Sequence, residues 1–126
     1  MEGDQSKKGA YGERVAAWFL EKSGYVVVET HATSRFGEID IIANDRGQLV
    51  FVEVKYRIVG FGCGLPEDSV NKSKRKKLRR TVLAYVSRKK IEDFRVDVVA
   101  ITHNLKTGKL LVRHHKALSD HLFNMS

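Results

Sequence analysis

A single cysteine, Cys63, leaves this 126-residue chain without the pair that an internal disulfide needs. The first residues, Met1 to Gln5, lack the basic-then-apolar order of a secretory leader, so a reducing cytoplasm is the expected compartment. Long apolar runs are also missing. Leu49 to Val52 and Val98 to Ile101 fall far short of the roughly 20 residues that span a bilayer, and no membrane partner is expected. Proline occurs once, at Pro66, and 42% hydrophobic residues mixed with 30% charged ones exclude a disordered or collagen-like chain. The length fits one domain, 1–126, with a core over about 9–115 and short tails.

Acids are absent where bases crowd. Residues 71–90 carry ten Lys or Arg and no Asp or Glu, whereas the rest of the chain holds 13 basic against 15 acidic residues. Most charge runs are only solvated helix faces, but helical surfaces usually alternate signs to gain i,i+4 support. Ten like charges without an interleaved acid instead suit a polyanion, whose condensed counterions are released on contact. Nucleic acid is the expected partner.

Periodicity orders the elements. Residues 9–23 have helical spacing, with Ala16, Trp18, Phe19 and Leu20 on a broad apolar side and Gly24 at the end. Strands are predicted over Tyr25 to Thr30, Glu38 to Ala43 and Leu49 to Arg57, the last two joined by a tight reversal at Asn44 to Gly47. A loop with Gly60, Gly62, Gly64 and Pro66 leads to the basic helix, marked by Val70, Leu78, Val82, Tyr85 and Val86. Arg95 to Thr102 and Lys109 to His114 complete the order α-β-β-β-α-β-β. The expected class is α/β, a mixed five-stranded sheet with helices packed on it, because a helical crossover favours parallel placement of the strands it joins.

Charges interrupt the middle strands. Alternation puts Glu38 and Asp40 on one face, with Ile39 and Ile41 on the other, and puts Glu53 and Lys55 opposite Val50, Val52 and Val54. A two-residue loop at Arg46-Gly47 would set Asp40 across from Glu53 and Glu38 across from Lys55, and a four-residue loop would shift the pairing by one diagonal step but keep these side chains on the same face. Three carboxylates so close need a countercharge, and a hard divalent cation supplies one. With Lys55 beside them they form a minimal kit for metal-assisted phosphodiester hydrolysis; a cross-strand salt bridge is the competing reading. Glu13 continues the apolar side of the first helix, as a site residue or as an acid serving the helix dipole. Lys74 lies on the line of Val70 and Leu78, where its ammonium either meets a phosphate or snorkels to water.

The ordered motifs resemble a known family. Asp40 with Glu53-Val54-Lys55, between a helix bearing Glu13 and a basic helix, is similar to the PD-(D/E)XK nuclease superfamily with its restriction-endonuclease-like core. More narrowly, Gly9-x-x-Gly12-Glu13-x-x-Ala16, Phe36 to Ala43, Val50 to Arg57, Phe61-Gly62 and Val70 with Lys74 and Leu78 resemble the bacterial YraN family, related to archaeal Holliday-junction resolvases. The resemblance covers about residues 9–101. It implies Mg2+ or Mn2+ on Asp40 and Glu53, Lys55 acting on the attacking water, and Glu13 completing the catalytic set. Two departures stand out: His31-Ala32-Thr33 where the family usually has Asn-x-Arg, and Ile39 in place of the superfamily's proline.

The resulting expectation is a metal-dependent DNA endonuclease for branched or damaged DNA. Lys72, Lys74, Arg75, Lys76, Lys77, Arg79, Arg80 and Arg57 would meet nucleic acid, and Glu38, Arg95 and Asp97 would stand behind the metal ligands. Arg95 with Asp97 also reads as a plain ion pair. His103, His114, His115, His121 and Cys63 show no zinc spacing and read as structural or exposed. A silent nucleic-acid-binding module and a domain docking on an acidic partner are the alternatives. The resolvases are dimeric and a two-fold homodimer would suit cutting of two strands, although no apolar stripe marks an interface.

Overall fold

The computed structural model describes the backbone of residues 2–60 and 72–117, and the side chains of 9–60 and 76–117. Its elements are α1 (Glu2–Lys22), β1 (Val26–Ser34), β2 (Gly37–Asp45), β3 (Gln48–Val59), α2 (Lys72–Lys89), β4 (Phe94–Asn104) and β5 (Leu110–His115). They follow the predicted order. One mixed sheet runs β1-β2-β3-β4-β5, with β3 and β4 parallel and the other neighbours antiparallel. None of the described helices is long and apolar enough to cross a membrane.

Each helix covers one face of the sheet. Ala16 and Leu20 of α1 pack with Tyr25, Ile41, Ala43, Val50, Val52, Val99 and Ile101. Leu78, Val82 and Val86 of α2, four residues apart, pack with Ala32, Ile39, Ile42, Phe51 and Val96 on the other side. The N-terminal tail belongs to α1, which starts at Glu2 rather than near Gly9. Trp18, expected on the apolar side, is 59% exposed, because it stands about 200° around the helix from both Ala16 and Leu20. α1 ends in a Schellman turn: Tyr25 N–H donates to Leu20 C=O and Gly24, at φ 96°, donates to Glu21 C=O.

The hairpin between β2 and β3 takes the two-residue alternative. Arg46 and Gly47 take φ of 56° and 95°, a two-residue turn whose hand matches strand twist, and Asn44 Oδ1 accepts Gly47 N–H at 2.8 Å. Pairing then runs from Asp45↔Gln48 to Ile41↔Val52 and ends there. Beyond that point β2 pairs with β1, and β3 continues beside β4 as far as Val59↔Asn104. The strands fork one residue short of the expected Asp40–Glu53 pair. Glu38 instead stands across from Thr33, and Lys55 lies beside Ala100.

Candidate functional site

The fork frees backbone groups that a ladder would have satisfied. Asp40 Oδ2 accepts Val54 N–H at 2.8 Å, so a side chain takes over where the β2–β3 pairing stops. The contact joins Asp40 to the Glu53-Val54-Lys55 stretch. Val50, Val52 and Val54 belong to the α1 side and Phe51 to the α2 side, so alternation sets Glu53 and Lys55 on the α2 side of β3.

Alternation fails at the same point on β2. Ile39 packs under α2 but Ile41 packs under α1, so the expectation that they share a face is corrected. The cause lies across the ladder. Thr30↔Ile41 and Ala32↔Ile39 bracket His31 and Asp40, and His31 sits in the left-handed region at φ 53°, which turns the strand over. Glu38 reaches the α1 side, whereas Asp40, bonded to a β3 amide in the plane of the sheet, stands between that side, where Glu13 lies, and the α2 side, where alternation sets Glu53 and Lys55.

Glu13 meets both from the α1 side. A Cβ on Gly12 would lie 2.7 Å from Tyr56 Cβ, so the glycine permits the close approach of α1 to β3 that brings Glu13 over the fork. With α1 starting at Glu2, Glu13 is mid-helix and serves no N-terminal dipole. His31 Nε2 lies 2.6 Å from Glu13 Oε1, and its Nδ1 lies 2.9 Å from Glu38 Oε1. Carboxylates only accept, so both contacts are satisfied together by the protonated ring. Ligand atoms of Glu13, His31 and Glu38 all lie within 4.8 Å of one another, the spacing of a cation site.

The carboxylates at the fork repel one another. Burial, then the charges of Asp40 and Glu38, hold the Glu13 carboxyl above its ordinary pKa, and His31 only partly offsets them. Burial likewise raises Asp40, with Glu38 adding and the Val54 amide opposing. His31 is raised chiefly by its bond to Glu38. Sequence reasoning missed His31 as a member of the cluster; the only signal was its place where the resembling family carries Asn.

Other expected residues fall elsewhere. Arg95 and Asp97 do not stand beside Asp40: Arg95 bonds Asp45, Gln48, Tyr25 and Asp97 near the hairpin turn. Asp97, fully buried, also accepts His114 Nε2 at 2.7 Å and Ala117 N–H at 2.9 Å. The ion-pair reading holds for these two, because β4 lays them under Tyr25 and β5. Arg57 Nε donates to Thr102 Oγ1 at 3.2 Å, and His103 meets the Tyr56 hydroxyl at 2.6 Å. On α2, Lys76, Lys77 and Arg80 are exposed; Arg79 is half-buried, and its Nε is the one buried side-chain nitrogen or oxygen lacking a partner among the described residues. The side chains of Lys72, Lys74 and Arg75, and residues Phe61, Gly62, Cys63, Gly64, Pro66, Val70 and His121, lie outside the described residues.

Residues 12–101 match the model of a family described as uncharacterised protein family UPF0102. Relatives bear the same family name. A UPF0102 protein of Clostridium botulinum strain 657 is 38% identical over 99 residues, 76% of this chain and 80% of that protein. One from Nocardia farcinica is 36% identical over 122 residues, 95% of this chain and 89% of its own length. One from a Sulfurihydrogenibium species is 41% identical over 104 residues, 80% and 89% respectively. The matched segment contains Glu13, His31, Asp40, Glu53, Lys55 and the basic helix.

Proposed function

The chain belongs to the uncharacterised protein family UPF0102, and from that footing we propose that it is a metal-dependent endonuclease with a restriction-endonuclease-like core, hydrolysing DNA phosphodiesters. One observation carries the reading. Asp40 bonds the backbone between Glu53 and Lys55 at the point where two central strands part, and Glu13 and Glu38 crowd the same corner, where burial and mutual repulsion raise Glu13 and Asp40. Partly buried carboxylates that repel one another are relieved by a bound cation.

Carboxylate oxygens fit a hard divalent ion, Mg2+ or Mn2+, and the YraN-like motifs would put it on Asp40 at the fork and Glu53 beside it on β3, with Glu13 completing the set from the α1 side. Bound there, it would supply Lewis-acid polarisation of a phosphoryl oxygen. Lys55 would orient the attacking water and offset negative charge growing on the phosphorus centre. Arg57 and the exposed cations of α2 would hold flanking phosphates. His31 bridges Glu13 and Glu38 through its two ring nitrogens.

The test is cleavage of labelled single-stranded, duplex, flap and four-way-junction DNA with Mn2+ or Mg2+, beside chelator and the Asp40→Asn protein. The expected result is cutting that needs both the metal and Asp40. Salt-sensitive binding without cutting on every substrate would leave the chain a nucleic-acid-binding module, and absence of DNA affinity would turn α2 toward an acidic protein partner.

A further inference from the structure

The face of the sheet opposite the acid cluster holds a cleft of about 360 Å3 between the β1–β2 hairpin and α2. Ala32 and Ile39 line it, and both bracket the inversion that sends His31 and Asp40 to the other side. The cleft is therefore adjacent, along two strands, to the fork. Phe36 and Tyr85 line it as aromatic groups, and Arg35 and Arg88 as cations; among the described residues no acid lines it.

These walls are held in place before any ligand arrives. Arg35-Phe36 is the two-residue turn between paired Ser34 and Gly37, and Ser34 Oγ accepts Phe36 N–H at 3.0 Å. Gly37, at φ 151°, sits so close to α2 that a Cβ would lie 3.1 Å from Thr81 Oγ1. Tyr85 is fixed edge-on to Phe51 with ring centroids 5.4 Å apart, and its hydroxyl donates to Glu29. The guanidiniums of Arg35 and Arg88 lie 4.8 and 5.6 Å from the Phe36 and Tyr85 ring centres. Lys77, Thr81, Ala84 and Arg88 share one line of α2, so cations flank the cleft along the helix.

Aromatic walls beside positive charge suit a flat, uncharged ring attached to a phosphate. We propose that this cleft takes an unpaired nucleobase of a DNA strand whose backbone runs along α2, so that the substrate class is DNA with a single-stranded arm or displaced base. A base stacked in continuous duplex does not present its face to such a cleft; an unpaired one does. The inference rests on the nucleic-acid part of the function proposed above and adds the substrate's structure to it.

Binding measured in chelator separates this claim from catalysis. The probes are a forked DNA with a single-stranded arm carrying 2-aminopurine and a blunt duplex of matched length. The wild-type chain is expected to bind the fork at least about tenfold more tightly than the duplex and to change the probe's fluorescence. Phe36→Ala and Arg88→Ala should each reduce that preference by about fivefold or more, and Phe36→Ala should shift duplex affinity less than twofold. Arg88 is exposed, so its variant carries the test even if Phe36→Ala melts early. Equal affinity of the wild type for fork and duplex, or unchanged preference in Arg88→Ala, overturns the cleft. Mn2+-dependent cutting of the same two DNAs is read separately: cutting without fork preference removes the cleft alone, and fork preference without cutting removes the nuclease alone.

Discussion

Two carboxylate clusters flank the central strands, and they are built on opposite principles. At the hairpin end Asp97 is completely buried, yet its oxygens meet Arg95, His114 and the Ala117 amide. Burial alone would lower the Arg95 pKa; its bonds to Asp97 and Asp45 outweigh that and raise it, and Arg95 in turn lowers Asp45. At the fork, Glu13, Glu38 and Asp40 gather about the half-exposed His31 imidazole and repel one another, and burial pushes Glu13 and Asp40 upward. Matched burial fixes a fold, whereas unmatched burial stores repulsion that an incoming cation relieves.

The contrast breaks most visibly at Asp97. Asp97→Ala leaves Arg95 and His114 without their shared acceptor and should cost about 3–5 kcal/mol, read as a lower urea midpoint. Asp40→Asn should behave the other way. Asparagine keeps an acceptor for the Val54 amide and removes a repelling charge, so in chelator the melting temperature should hold or rise by a few degrees. Cutting by the same variant should fall by about a hundredfold or more, the loss expected when several kcal/mol of metal-borne stabilisation go. A destabilised Asp40→Asn protein would make the fork a second structural network.

Gly12→Ala sharpens the comparison without touching a charge. The added methyl meets Tyr56 Cβ and should cost about 1–3 kcal/mol by overpacking, while moving Glu13 away from the fork and weakening Mn2+ uptake. An equal loss of stability with unchanged uptake would free Glu13 from the site.

Acidity gives the smallest effect, with opposite signs at the two ends. Glu13 and Asp40 have raised pKa values, so their repulsion is relieved as pH falls through them. His31, also raised, contributes stability that is complete below its ordinary value of 6.5 and is lost as pH rises through the folded one. Asp45, lowered, contributes above its ordinary 3.8 and loses that as pH falls through its folded value. Melting in chelator from pH 8 to 5.5 should therefore show a gain in the wild type that His31→Asn reduces, and a loss below about pH 4 that both proteins share.

Local rules made most of the fold legible. Arg46-Gly47 announces a two-residue turn, which fixes Ile41 opposite Val52, and the spacing of Leu78, Val82 and Val86 marks the buried side of α2. The site was legible as a list of residues rather than as a place. Alternation predicted a flat ladder through Asp40 and Glu53, but the strands fork there and His31 inverts β2's partner, an event set by packing against two helices at once. Glu13 beside His31 depends on how α1 lies over the sheet, and Arg95 finds Asp45 and Tyr25 through pairings fifty or more residues long in sequence. Such contacts leave no periodic trace.

The most direct measurement is calorimetric titration of the chelator-stripped chain with Mn2+ at neutral pH, with Asp40→Asn beside it. The unmatched fork predicts saturable uptake by the wild type and its loss in the variant. No heat of binding, or equal uptake by both proteins, would contradict a cation site at the fork.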